Sequence, residues 1–132
     1  MILIDTNILI DIAFADAEWS AGSKRAFVEA SVSGPVACVD VVFAELATGF
    51  RAASAVREFL EGLAVARSAM TDEALWLAAQ AFGTYRRRGG TKTNVLADFF
   101  IGAQALSLHV PLLTRDKGRY RTYFPDVRLI TP

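Results

Sequence analysis

The chain of 132 residues predicts an α/β fold, a three-layer sandwich in which helices cover both faces of a mostly parallel central sheet. Three observations predict it. Short apolar, partly β-branched runs recur at Met1 to Ile4, Val36 to Val39, Ala64 to Ala66, Pro111 to Thr114 and Val127 to Ile130. Longer stretches with apolar residues at helical spacing separate them. No internal repeat, low-complexity tract or linker breaks the alternation, so a single domain over residues 1–132 is expected, joined by right-handed crossovers.

The first strand is apolar throughout, as a strand buried on both faces must be, and a helix is expected from Ile8 to Ala15. Asp5, Thr6 and Asn7 interrupt the apolar run between the two. Asp16 to Ser23 is small and polar and reads as a loop or helix junction, followed by a helix through Arg25 to Ser31 that Ser33-Gly34-Pro35 ends. After the second strand, Asp40 is placed to cap a helix from Val41 to about Phe50. Ser54 is placed to cap the next helix, with Val56, Phe59, Leu60 and Leu63 as its inner face. Thr71, Asp72 and Glu73 mark another helix start, acids at the positive end of the dipole, with Leu75, Ala78, Ala79 and Phe82 on the core side. Tyr85 to Asn94 is a basic, glycine-containing connection. From Val95 to Leu108 runs a helix of nearly unbroken apolar character whose one charge is Asp98. Arg115-Asp116 leaves the carboxyl end of the fourth strand, and a second basic, aromatic stretch through Lys117, Arg119, Tyr120, Arg121, Tyr123 and Phe124 leads to the last.

Fourteen Lys and Arg balance fourteen Asp and Glu, so net charge points to no polyanionic partner and any such contact must come from local clusters. The lone Cys38 excludes an intrachain disulfide or a cysteine metal cage, and its apolar surroundings suit a buried thiol. No apolar run approaches the ~20 residues of a membrane span, and the start lacks the pattern of a secretory signal; a cytoplasmic protein without membrane association is expected.

Four acids stand in unusual places. Asp5 and Asp116 each follow an apolar strand, at the end of the sheet where α/β folds bind ligands, while Glu45 and Asp98 lie in the first halves of strongly apolar helices. Each has a plain alternative, and for Asp5, Thr6 or Asn7 it is a helix cap. Taken together they require basic partners or a cation, because burying an unpaired carboxylate is costly. Two carboxylates ~4 Å apart repel by about 4 kcal/mol at an effective dielectric near 20. No Lys or Arg lies inside the apolar segments that carry Asp5, Glu45 and Asp98. An all-oxygen set with a single His favours Mg²⁺ or Mn²⁺ over zinc, and His109 reads as a helix-end residue. Asn7 and Thr114 are two residues from Asp5 and Asp116 and are candidates to support the site, whereas Asp11 reads as an exposed helical acid. Arg86, Arg87, Arg88, Lys92 and Arg115 are candidates to hold a nucleic-acid backbone, with Tyr120 or Tyr123 available for base stacking. A carboxylate-held metal beside such loops suits a nuclease.

With these residues assembled, the sequence resembles the PIN-domain ribonucleases of the VapC toxin type over essentially its whole length. The carriers are Ile4-Asp5-Thr6-Asn7-Ile8-Leu9-Ile10-Asp11, Val42-Phe43-Ala44-Glu45-Leu46, Val95-Leu96-Ala97-Asp98-Phe99-Phe100-Ile101 and Leu112-Leu113-Thr114-Arg115-Asp116. The resemblance implies that Asp5, Glu45, Asp98 and Asp116 are the acids that bind Mg²⁺ or Mn²⁺, supported by Asn7 and Thr114. It also implies endonucleolytic RNA cleavage by a metal-activated water, a homodimer, and neutralisation by a cognate antitoxin. Phe99-Phe100 is bulkier than the family's usual pattern. Two rivals stand beside it. One is a haloacid-dehalogenase-like phosphotransferase with Asp5 as nucleophile, although position 7 holds Asn7 where that class has a second Asp. The other is a non-catalytic RNA-binding module.

Overall fold

A computed structural model describes residues 1–132. Five strands, β1 (Ile2–Ile4), β2 (Val36–Cys38), β3 (Val65–Arg67), β4 (Leu112–Leu113) and β5 (Leu129–Ile130), form one sheet in the order β3-β2-β1-β4-β5. Every neighbouring pair is parallel, so the mostly parallel sheet expected from the alternation is parallel throughout. β1 is central, its Leu3 level with Ala37 of β2 and with Leu112 of β4, and it is buried along its whole length. That is why its sequence has no polar alternation. The strand order reverses beside β1, which makes the carboxyl ends of β1 and β4 the crevice of the sheet.

The helices are α1 (Thr6–Ala13), α2 (Ser20–Ser33), α3 (Asp40–Ala47), α4 (Ala53–Gly62), α5 (Asp72–Arg87), α6 (Leu96–Leu108) and α7 (Gly118–Tyr123). Their inner faces and the strands form a core of 29 buried apolar residues, including Leu3, Ile4, Ile8, Leu9, Phe99 and Ile101. Cys38 is among them, and burial pushes its thiol up to about 11.

Several boundaries differ from the sequence expectation. α1 begins at Thr6 because Asp5 caps it, accepting from the Thr6 N–H at 2.7 Å. α2 begins at Ser20, inside the expected loop; the Asp16 carboxylate takes the N–H groups of Glu18 and Trp19 and turns the chain into the helix. Asp40 lies in the first turn of α3 and pairs with Arg67, and Ser54 lies inside α4, so neither is the cap expected of it. The helix start expected at Thr71 to Glu73 is there, with Thr71 as its cap, the hydroxyl accepting from Ala74 N–H at 3.0 Å. The stretch after Asp116, whose conformation the sequence left open, contains the short helix α7.

Candidate functional site

The site is built outward from Asp5. Leaving β1 in extended conformation, Asp5 is 3% exposed, and each carboxylate oxygen is accounted for. Oδ1 accepts from the Thr6 N–H; Oδ2 accepts from Thr114 Oγ1 at 2.7 Å, Tyr120 OH at 3.0 Å and Asn7 Nδ2 at 3.2 Å. All four donors are neutral. Burial pushes the Asp5 carboxyl up to about 6, the hydrogen bond from Thr114 opposes that rise, and the charge of Asp98 adds to it. Thr114 reaches Asp5 because β4 pairs with β1 and places Leu113 beside Ile4. Asn7, in the first turn of α1, ties the two loops together by donating to Thr114 Oγ1 at 3.2 Å and accepting from the Arg115 N–H at 3.3 Å.

A cleft of about 420 Å³ opens beside Asp5 and is lined by Glu45 of α3 and Asp98 of α6, with Thr6, Asn7 and Arg115 at its walls. Glu45 accepts from Thr6 Oγ1 at 2.7 Å. Asp98 is half-buried and ion-paired with Arg119 of α7. Burial raises the Asp98 carboxyl, Arg119 opposes the rise, and the charges of Asp116 and Glu45 add to it. Asp116 is not part of the cleft wall, although its charge is felt at Asp98 and Tyr120. Its N–H donates to Thr114 Oγ1 at 3.0 Å.

The structure thus brings Asp5, Glu45 and Asp98 to one cleft and sets Asp116 at its edge. No three of these acids stand close enough to one another to form a ready metal-binding group as the side chains lie. In kind the donors fit a hard divalent cation: they are all carboxylate oxygens, and Asp5 has no basic side chain among its partners.

Two expectations are corrected, those for Asp11 and Tyr120. Asp11 is 0% exposed; its carboxylate receives Arg115 through Nε at 2.9 Å and Nη2 at 3.2 Å, and Ser23 Oγ at 2.7 Å. Arg115 also lies over the Trp19 ring, 5.0 Å from its centroid, so its guanidinium is engaged by Asp11 and Trp19 while the side chain, 31% exposed, lines one wall of the cleft. Tyr120 is 0% exposed and offers no ring to a base. Arg119 and Tyr120, adjacent on α7, hold Asp98 and Asp5, a role no local pattern signalled because the Tyr120 and Asp5 partners are 115 positions apart in the chain.

Arg86, Arg87 and Arg88 are exposed at the end of α5, and Lys92 lies exposed in the loop beyond it. Arg86 lies over Phe82 and Arg88 over Tyr123, at 5.6 and 5.8 Å. Both rings belong to an aromatic cluster centred on the fully buried Phe99, which also meets Tyr85 and Phe124. The bulk of Phe99 therefore fills the core between α5, α6 and α7, and the basic edge is mounted on that cluster.

The PIN domain family model matches residues 2–125. The chain belongs to the PIN domain family. Membership removes the haloacid-dehalogenase-like reading of Asp5. No curated protein sequence matches this PIN domain. Among solved structures, it is similar to a chain of VapBC2 from Rickettsia felis bound to a DNA fragment from their promoter, at 15% identity and TM-score 0.72, covering 99% of this chain and 98% of that one. VapBC-1 from nontypeable Haemophilus influenzae gives 20% identity and TM-score 0.72, over 98% and 96%. A toxin-antitoxin complex from Klebsiella pneumoniae gives 21% identity and TM-score 0.67, over 96% and 95%. At these identities the likeness is one of fold. No helix of this PIN domain is long and apolar enough to cross a membrane.

Proposed function

We propose that this PIN domain, residues 1–132 acting as one nuclease unit, is a Mg²⁺- or Mn²⁺-dependent endoribonuclease and the toxin of a VapBC-type pair. One observation carries the reading: the buried Asp5 carboxylate has only neutral donors and lies in one cleft with Glu45 and Asp98. Asp5, Glu45, Asp98 and Asp116 would hold the ion. A divalent cation so held lowers the pKa of bound water and offsets charge that develops on a phosphodiester. Thr114 and Asn7 orient Asp5, and Thr6 orients Glu45. Arg119 pairs with Asp98 and holds its carboxylate at the cleft. Arg86, Arg87, Arg88 and Lys92, exposed beside α6, are the groups proposed to meet the RNA backbone, and Arg115 serves the cleft wall. Likeness in fold to toxin-antitoxin complexes supports a cognate antitoxin as partner. A homodimer in the cytoplasm belongs to the same proposal.

The test is cleavage of an end-labelled tRNA and a messenger fragment by purified protein with Mg²⁺, Mn²⁺ or EDTA, beside Asp5→Asn prepared identically. Cleavage that requires both metal and Asp5 is expected. RNA binding without cleavage, unaffected by EDTA, would replace this reading with the non-catalytic binding module.

A further inference from the structure

Tyr120 touches the site without lining the cleft. It sits on the six-residue helix α7, is fully buried, and donates its hydroxyl proton to Asp5 Oδ2 at 3.0 Å. Thr114 and Asn7 donate to that same oxygen, whereas Oδ1 receives a single N–H from Thr6. A carboxylate offers about four lone-pair positions. Three donors on Oδ2 occupy that oxygen fully and stop the carboxylate from rotating, leaving Oδ1 as the oxygen with a lone pair to spare. A buried phenol needs one acceptor of any kind. Here the acceptor is the single carboxylate at the end of the central strand.

From this convergence we infer that Tyr120 is a positioning residue, which holds Asp5 Oδ2 so that Oδ1 is presented to the divalent cation; this rests on the metal-dependent reading of the cleft. Its neighbour Arg119 pairs with Asp98, so two consecutive residues of α7 grip two of the acids from one side, and the helix sets their spacing. Groups that orient a metal ligand from behind typically change metal affinity by 10–100-fold when removed.

The test compares wild type with Tyr120→Phe, by calorimetric titration of the metal-free proteins with Mn²⁺ and by steady-state cleavage of one RNA substrate. The phenylalanine variant is expected to bind Mn²⁺ about tenfold more weakly and to lose kcat by a similar factor with KM for RNA unchanged. Replacing Tyr120 with p-aminophenylalanine, which keeps a donor at the same place, is expected to restore both. Equal Mn²⁺ affinity and kcat in wild type and Tyr120→Phe would overturn the inference while leaving the nuclease reading intact. A wild type that neither binds Mn²⁺ nor cleaves RNA would overturn both. Should the phenylalanine variant fail to fold, the Tyr120 Cζ resonance of the wild-type protein decides instead. It is expected to move on Mg²⁺ titration as the cation draws charge from Asp5, and a resonance that stays fixed while Mg²⁺ binds overturns the inference.

Discussion

Asp5 and Asp11 lie on the same opening segment and are both withdrawn from solvent, at 3% and 0% exposure, yet the protein treats them in opposite ways. Asp11 receives a guanidinium through two nitrogens and a serine hydroxyl, and the arrangement joins α1, α2 and the loop after β4. Its charge is answered from within the chain. Asp5 receives four neutral donors, which solvate its charge without cancelling it, and its carboxyl is driven up to about 6. Burial alone therefore does not mark a functional acid; burial without a base does.

The largest expected effect separates the two acids by activity. Asp5→Asn should lower RNA cleavage by about a thousandfold or more with the fold retained, measured by single-turnover cleavage and circular dichroism. A variant that still cleaves would erase the distinction. The next separates them by stability. Arg115→Ala leaves Asp11 buried and uncompensated, and because the Arg115 side chain is itself 31% exposed the loss should be about 2–3 kcal/mol, below the usual range for a broken buried pair. Urea unfolding reads it, and an unchanged midpoint would show that the Asp11 joint carries no stability.

A smaller effect tests where the phosphates sit. If Arg115 is occupied by Asp11, the backbone contact falls to the exposed arginines of α5. Neutralising Arg86, Arg87 and Arg88 to Gln should weaken RNA binding by about tenfold. Its salt dependence should flatten too, the slope falling by roughly 0.7 for each phosphate of a single strand that these arginines no longer neutralise. Fluorescence titration at several salt concentrations checks this, and an unchanged slope would return the phosphates to the cleft wall.

The smallest effect is a pH dependence that Asp5 imposes. Because the folded carboxyl titrates near 6, above the 3.8 of a free aspartate, the folded state holds the extra proton between those values. The metal-free protein should therefore gain stability as pH falls through 6 and lose it as pH rises, by about 1 kcal/mol between pH 5.5 and 7.5. Asp98 is raised as well and acts in the same direction. Thermal melts of the EDTA-treated protein at those two pH values test the sign, and saturating Mn²⁺ should reverse it by favouring the ionised acids.

By itself the sequence determined the layers and the neighbourhood of the site. Runs such as Ile2 to Ile4 and Val95 to Leu108 have no continuous polar face, so they pack into the core, and an acid at the edge or interior of such a run is conspicuous through hydrophobic patterning alone. That is how Asp5, Glu45 and Asp98 were legible in the sequence. The same patterning marked Asp116, which follows the fourth apolar run, and the family's motif order added to it. Tertiary structure alone decided who partners whom. Arg115 and Arg119 belong to one basic stretch and look alike in sequence, but one closes on Asp11 and the other on Asp98. Tyr120 and Tyr123 look equally available for stacking, but the turn of α7 sends the first hydroxyl to Asp5 and sets the second ring against Phe99. Hydrophobic burial follows composition over a few residues, whereas the pairing of a charge depends on which side chains the β1–β4 pairing and the α7 turn bring within about 3 Å, across separations of more than a hundred residues that no local pattern encodes.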